Sequence, residues 1–279
     1  MEKVRSGISL AFDGRGDQMQ DFQNAALAIT TTDKSSKVVI DQIEIDGQQI
    51  RIAAMAKGAG MIGPNMATML AIVCTDATID ASTIQAKLQC VADKSFNSIS
   101  VEGHTSTNDA LMLVSSQKLK PISSELGVAS FWRKLTNVCV ELAKQVPADG
   151  EGATHLIQID VGGAASQEDA ERIARTVASS NLVKTAVTGA DPNWGRIVSA
   201  AGYSGGQIDL KRTTLKLNGH TVFENGEPIA FNEAIVSDSI RSNFETKIDL
   251  KVGVGTAAAV HWTSDLTVDY VRFNSEYTT

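Results

Sequence analysis

From Val38 to Met55 the chain alternates apolar and polar positions, VVIDQIEIDGQQIRIAAM, on both sides of Asp46-Gly47. A period of two interrupted by Asp-Gly predicts a β-hairpin, because both central residues of its tight turn need positive φ. The run TMLAIVCTDA (68–77) suits a buried strand, and DASTIQAKLQCVA (80–92) places Ile84, Leu88 and Val91 on one face of a helix. SISVEGHTSTNDALMLVSS (98–116) reads as two strands around a polar turn. Leu135, Val138, Leu142 and Val146 form the stripe of a second helix that should stop before PADGEG (147–152). A third helix is predicted over SQEDAERIARTVASS (166–180), where Ser166 and Asp169 have capping-box spacing and Ala170, Ile173, Ala174 and Val177 share a face. LVKTAVTG, TTLKLNG, KIDLKVGVG and AAVHWTSDLTVDYVRF predict further strands, with another helix across residues 232–243. Long strands joined by hairpin turns and separated by grouped helices, without regular βαβ alternation, predict an α+β layered architecture.

Composition narrows the range of functions. At 279 residues, 43% hydrophobic and with mean hydropathy near zero, the chain can bury a substantial core. A net charge of -7, with no cluster of Lys and Arg, argues against nucleic acid or an anionic membrane as the main partner and favours small-molecule work. The apolar runs are too short to span a bilayer, and residues 1–12 lack the apolar core of a signal peptide. Cys74, Cys90 and Cys139 are odd in number and have neither disulfide-framework nor zinc spacing, so they read as thiols of a reducing, cytoplasmic compartment.

Three motifs compete for the chemistry. Gly58, Gly60 and Gly63 spell G-x-G-x-x-G, with Asp76 and Asp80 roughly 20 residues on as a dinucleotide site requires. That motif needs a parallel βαβ unit and a helix opening at its last glycine, whereas a hairpin precedes it here and TMLAIVCT lacks an amphipathic face. GYSGG (202–206) fits G-x-S-x-G, with Asp249 and His261 downstream in α/β-hydrolase order, but QIDLKRTTLKLNG alternates like a strand where that fold needs a helix, so Ser204 reads as part of a turn. GPNMATML delivers Ala67 and Thr68 after a rigid Gly63-Pro64 turn. A threonine becomes a competent nucleophile when it is the first residue of a chain, since its own α-amine, with pKa near 8, can take the proton. That requires cleavage of Ala67-Thr68, by attack of the Thr68 hydroxyl on the Ala67 carbonyl and an N-to-O acyl shift. By spacing alone the signal is weak, since a Thr entering a strand is usually a plain β-former.

The stretch AKGAGMIGPNMATMLAIVCTDA (56–77) closely resembles the signature of the ornithine acetyltransferase (glutamate N-acetyltransferase) family. The similarity continues in order through SVEGHTSTNDALML, DGEGATHLI, LVKTAVTGADPNWGRI and WTSDLTVDYVRFNSEYTT, so it covers essentially the whole chain. It implies a layered α+β fold resembling the DmpA aminopeptidases, self-cleaved into an α chain, of which residues 1–67 form the C-terminal part, and a β chain, residues 68–279. The implied reaction moves an acetyl group from N-acetyl-L-ornithine to L-glutamate, as a step of arginine biosynthesis, by a ping-pong route through an acetyl-Thr68 ester. No cofactor or metal is implied, although acetyl-CoA serves some members as an alternative donor, and the implied assembly is a heterotetramer of two α and two β chains. Position by position, the resemblance assigns the nucleophile to Thr68 and substrate contacts to Thr31, Lys57, Glu151, Asn274 and Thr279. These types suit an amino acid: Lys57, Thr31 and Asn274 donate to a carboxylate, and Glu151 or the Thr279 carboxylate meets the ornithine ammonium. DPNWGR (191–196) either shapes the site or forms a turn with a buried Trp194.

The resemblance also implies an N-terminally truncated member, because Met1 aligns just after the family's Thr-Gly oxyanion-hole motif, which is then expected upstream. Ala59, Gly63 and Ser264 replace the family's usual serine, alanine and cysteine and are expected to matter little. Two alternatives stand beside the transferase: a catalytically silent relative acting as a binding or assembly subunit, and a DmpA-like amidase using the same Thr68. Intact-mass measurement checks the nucleophile: the wild-type chain is expected as pieces 1–67 and 68–279, and Thr68→Ala as one uncut chain, because no hydroxyl remains to attack the Ala67 carbonyl.

Overall fold

The structure, a computed structural model, describes residues 1–63, 69–105 and 108–276. The elements run α1 (Glu2–Asp13), α2 (Met19–Ala28), β1 (Lys37–Ile45), β2 (Gln48–Lys57), β3 (Leu70–Thr75), α3 (Ala81–Lys94), β4 (Ile99–Ser100), β5 (Ala110–Ser115) and α4 (Glu125–Ala148). They continue with β6 (Leu156–Ala164), α5 (Gln167–Ala178), α6 (Asn181–Thr188), α7 (Trp194–Gly202), β7 (Thr214–Leu217), β8 (His220–Glu224), β9 (Glu227–Pro228), α8 (Glu233–Ser242), β10 (Glu245–Lys251), β11 (Ala257–Ser264) and α9 (Val268–Glu276).

Among the described residues the strands form a four-stranded sheet ordered β1-β2-β3-β5 and a seven-stranded sheet ordered β4-β11-β6-β10-β7-β8-β9. The expected hairpin is there: Ile45 pairs with Gln48 around Asp46 (φ 51°) and Gly47 (φ 71°), the left-handed pair that Asp-Gly accommodates. Helix α4 joins the layers. It packs on β1 and β2 of the smaller sheet and on β4 and β11 of the larger one, burying Phe131, Leu135, Val138, Leu142 and Val146 in a core shared with Ile52, Val73, Ile99 and Trp262. A second core lies beyond the larger sheet, where α5 covers β6 and β11 with Ala170, Ile173, Ala174 and Val177. The predicted α+β layered architecture is therefore correct.

The outer face of the smaller sheet carries the cross-strand row Ile40, Ala53, Cys74 and Val114, with Ile40 and Val114 exposed. Helix α1 buries none of its residues.

Three expectations fail. LVKTAVTG is helix α6, not a strand: Ser180 caps it through the Val183 N–H, and Val183, Ala186 and Val187 are buried with the helical i, i+3, i+4 spacing. The end of AAVHWTSDLTVDYVRF is likewise helical, because the Thr267 hydroxyl accepts the Tyr270 N–H at 3.1 Å and opens α9 after β11. Helix α4 runs past the stop expected before Pro147 to Ala148, taking Pro147 into its last turn. The two strands of SISVEGHTSTNDALMLVSS are present as β4, which pairs with β11 in the larger sheet, and β5, which pairs parallel with β3 in the smaller one.

The core assignment is checked by denaturant unfolding. Leu142→Ala, at a fully buried position, is expected to cost about 2–5 kcal/mol. Leu182→Ala, at a position 61% exposed, should stay within about 0.5 kcal/mol of wild type.

Candidate active site

The glycine-rich loop leaves β2 at Lys57, and three other segments converge on it. The first is the α4–β6 connection, where the Glu151 N–H donates to the Ala59 carbonyl at 3.0 Å. The Glu151 carboxylate occupies the space where Gly60 has no side chain: a Cβ there would lie 2.7 Å from both carboxylate oxygens. The second is α9, from which the Asn274 amide donates to Glu151 Oε2 at 3.2 Å and to the Tyr270 carbonyl at 3.1 Å. The third is the segment before β1: Asp33 Oδ1 accepts the Gly58 N–H at 2.7 Å, and its Oδ2 accepts the Thr31 N–H at 3.1 Å.

Asp33 belongs to a buried ionic cluster. Lys37 Nζ lies 2.6 Å from Asp33 Oδ1 and 2.6 Å from Asp149 Oδ2, with the Lys37 side chain only 1% exposed. Asp149 Oδ2 also accepts the backbone N–H groups of Lys34 and Ser35. Burial alone would raise the Asp33 pKa, but the Lys37 ammonium and the Gly58 and Thr31 N–H groups outweigh it and hold the carboxyl below its usual range.

The opposite wall comes from the segment after β4. Ile62 donates its N–H to Glu102 Oε1 at 2.7 Å, and its carbonyl accepts the N–H groups of Val101 and Gly103. This close approach depends on Gly63, since a Cβ there would sit 2.5 Å from the Gly103 carbonyl carbon. The glycine that stands at the family's usual alanine position is therefore a packing requirement here. Asp109 Oδ1 accepts the Met69 N–H at 2.7 Å, directly after the position of Thr68 in the chain. Among the described residues the second oxygens of Glu102 and Asp109 are buried without a hydrogen-bond partner, and burial pushes both pKa values up, against the pull of Lys184 on Glu102 and of Lys57 on Asp109. Behind this wall Lys184 donates to the Val101 carbonyl. Its burial lowers the amine to about 8, a shift opposed by Glu102 and Asp265.

Of the sequence-assigned residues, the structure gathers Thr31, Lys57, Glu151 and Asn274 around one loop. Ala67, Thr68 and Thr279 lie outside the described residues. The hydrolase-like trio is dispersed: Ser204 lies in the turn after α7, while His261 is buried with Nε2 3.1 Å from Ser100 Oγ, and burial holds its pKa near 3. DPNWGR opens α7, where the partly buried Trp194 stacks on Phe223 beside the second core. Asp33, Lys37, Glu102, Asp109 and Asp149 were not singled out from the sequence. The only signal was their position, since Asp33 and Asp149 each stand two residues from an assigned contact and Asp109 lies within a quoted family motif.

Fold and site together define a layered α+β protein with a lysine, a carboxylate and an amide arranged around a glycine-rich loop, a set of groups suited to a charged amino acid. The ArgJ family model matches residues 1–279, and the chain belongs to the ArgJ family. It is 53% identical to the arginine biosynthesis bifunctional protein ArgJ of Rhodopirellula baltica, an alignment covering all of this chain and 69% of that protein. It is 42% identical to the protein of the same name from Oceanobacillus iheyensis, covering 68% of it. The crystal structure of arginine biosynthesis bifunctional protein argJ from Bacillus halodurans is similar with a TM-score of 0.71 and 37% identity, over 74% of this chain and 98% of that one.

The wall behind the loop yields a test by pH. Lys184 has a folded pKa near 8 against 10.5 for the free side chain, so between those values the unfolded chain binds more protons and stability from this group rises with pH. Denaturant unfolding at pH 7.5 and 9.5 should show wild type gaining stability relative to Lys184→Met. A gap that is constant with pH would exclude the buried amine.

Proposed function

We propose that this chain is an enzyme of arginine biosynthesis that transfers an acetyl group from N-acetyl-L-ornithine to L-glutamate through an ester on Thr68. The observation that carries the reading is the convergence of Lys57, Glu151 and Asn274, from β2, the α4–β6 connection and α9, on the loop that leads to Thr68. Membership of the ArgJ family, whose relatives are named for arginine biosynthesis, supports it.

The proposed route begins with self-cleavage. Thr68 Oγ attacks the Ala67 carbonyl carbon, the Ala67–Thr68 C–N bond breaks, and the resulting ester is hydrolysed to a carboxylate on Ala67 and a free α-amine on Thr68. In the acetyl transfer, the Thr68 α-amine takes the hydroxyl proton as Oγ adds to the acetyl carbonyl, and returns it to the departing amine of ornithine. L-Glutamate then attacks the acetyl carbonyl of the ester with its own amine, the C–Oγ bond breaks, the Thr68 α-amine passes the amine proton to Oγ, and N-acetyl-L-glutamate leaves. Lys57 and Asn274 supply donors for the substrate carboxylate, and Glu151 is the acceptor for the ornithine ammonium. The route uses no metal or cofactor. The two pieces work in the cytoplasm as an assembly of two α and two β chains.

Incubation with N-acetyl-L-ornithine tests the reading. Release of ornithine that depends on glutamate is expected, whereas release without glutamate would indicate an amidase and no release would indicate a binding subunit. Within an active enzyme, Gly60→Ala is expected to leave the melting temperature nearly unchanged, because the Cβ meets only the end of the Glu151 side chain, yet to raise KM for N-acetyl-L-ornithine by about tenfold through displacement of that carboxylate.

A further inference from the structure

Lys37 and Asp33, four residues apart, and Asp149, far from both in sequence, are almost wholly withdrawn from water and joined by two contacts of 2.6 Å. Burying three charges is expensive, and uncharged side chains of similar volume often stabilise a fold as well or better. The cluster therefore has to be judged by what it holds in place. The Lys37 ammonium uses its donors on Asp33 Oδ1, Asp149 Oδ2 and, at 3.4 Å, the Ser35 carbonyl, so none is left for a ligand. Asp33 takes the Gly58 N–H, next to Lys57, and the Thr31 N–H. Asp149 stands two residues before Glu151 and takes the N–H groups of Lys34 and Ser35. One ammonium thus fixes the relative placement of three segments, each of which carries one assigned substrate contact.

We propose that Lys37, bridging Asp33 and Asp149, is a positioning residue that sets Thr31, Lys57 and Glu151 in the spacing needed to hold the substrate. The proposal rests on the acetyl-transfer reading of the same site. It separates into two arms. The Asp33 arm acts through Gly58 on Lys57, and the Asp149 arm acts on Glu151.

The test uses the full chain and three kinds of variant. The charge-free variant Asp33→Asn/Lys37→Met/Asp149→Asn leaves no buried charge unpaired. It is expected to melt near wild type but to raise KM for N-acetyl-L-ornithine about tenfold or more, with kcat less affected. A folded triple variant with wild-type KM would overturn the proposal. If the triple variant does not fold, Asp149→Asn is combined with Glu151→Ala and separately with Lys57→Ala. The KM effects should be non-additive in the first pair and additive in the second, and additivity in both would overturn the proposal. A wild-type chain that releases no ornithine would end the acetyl-transfer reading while leaving the positioning claim open to hydrogen exchange. The Thr31 and Gly58 amides should exchange faster in the triple variant, or in Asp33→Asn if the triple does not fold, than in wild type, and equal rates would refute it.

Discussion

Helix α4 has to serve two sheets at once, and the rest of the molecule is arranged around that constraint. Its buried stripe must be wide enough to meet β1 and β2 on one side and β4 and β11 on the other, which is why ten of its 24 residues are buried. A helix held on two sides has little freedom to slide or rotate, so its C-terminal end is a fixed point. From that end the chain delivers Asp149 to the buried Lys37 and, two residues later, Glu151 to the glycine-rich loop. The site inherits its geometry from the packing of the helix.

The glycine-rich loop shows how one sequence pattern can serve different physics. In a dinucleotide site the glycines admit a phosphate to backbone N–H groups at a helix N-terminus. Here they admit protein: the Glu151 carboxylate fills the space over Gly60, and the Gly103 backbone fills the space over Gly63. The next element described along the chain is a strand, β3, which begins at Leu70.

The parts of the fold that were legible in the sequence are those whose local period matches their burial. The Asp46-Gly47 hairpin, α3, α4 and α5 each carry a one-sided pattern and a recognisable turn or cap. Helix α6 misled because Val183, Thr185 and Val187 imitate the alternation of a strand, while its true face includes the small Ala186. The pairing of β4 and β5 carried no local signal, because each strand finds its edge in a different sheet. At the site, Thr31, Lys57, Glu151 and Asn274 were reached only through the family resemblance, since a lone charge or amide in a loop carries no periodic signal. The ionic cluster was invisible for the same reason, its members lying 112 and four residues apart with no pattern linking them.

Strands β2 and β3 run antiparallel from Ile52–Thr75 to Lys57–Leu70, and Ala54, Ala56, Ala71 and Val73 at this seam are fully buried. The proposed break at Ala67–Thr68 would therefore divide one sheet between two polypeptides without opening its core. In the folded protein such a break would be silent, because the hydrogen-bond ladder and the packing on α4 would hold what the peptide bond no longer did. On unfolding the molecularity would change. A reaction that is first order in an intact chain would become an encounter between two chains, so a cleaved chain would regain its structure more slowly on dilution and its melting point would depend on how much of it is present.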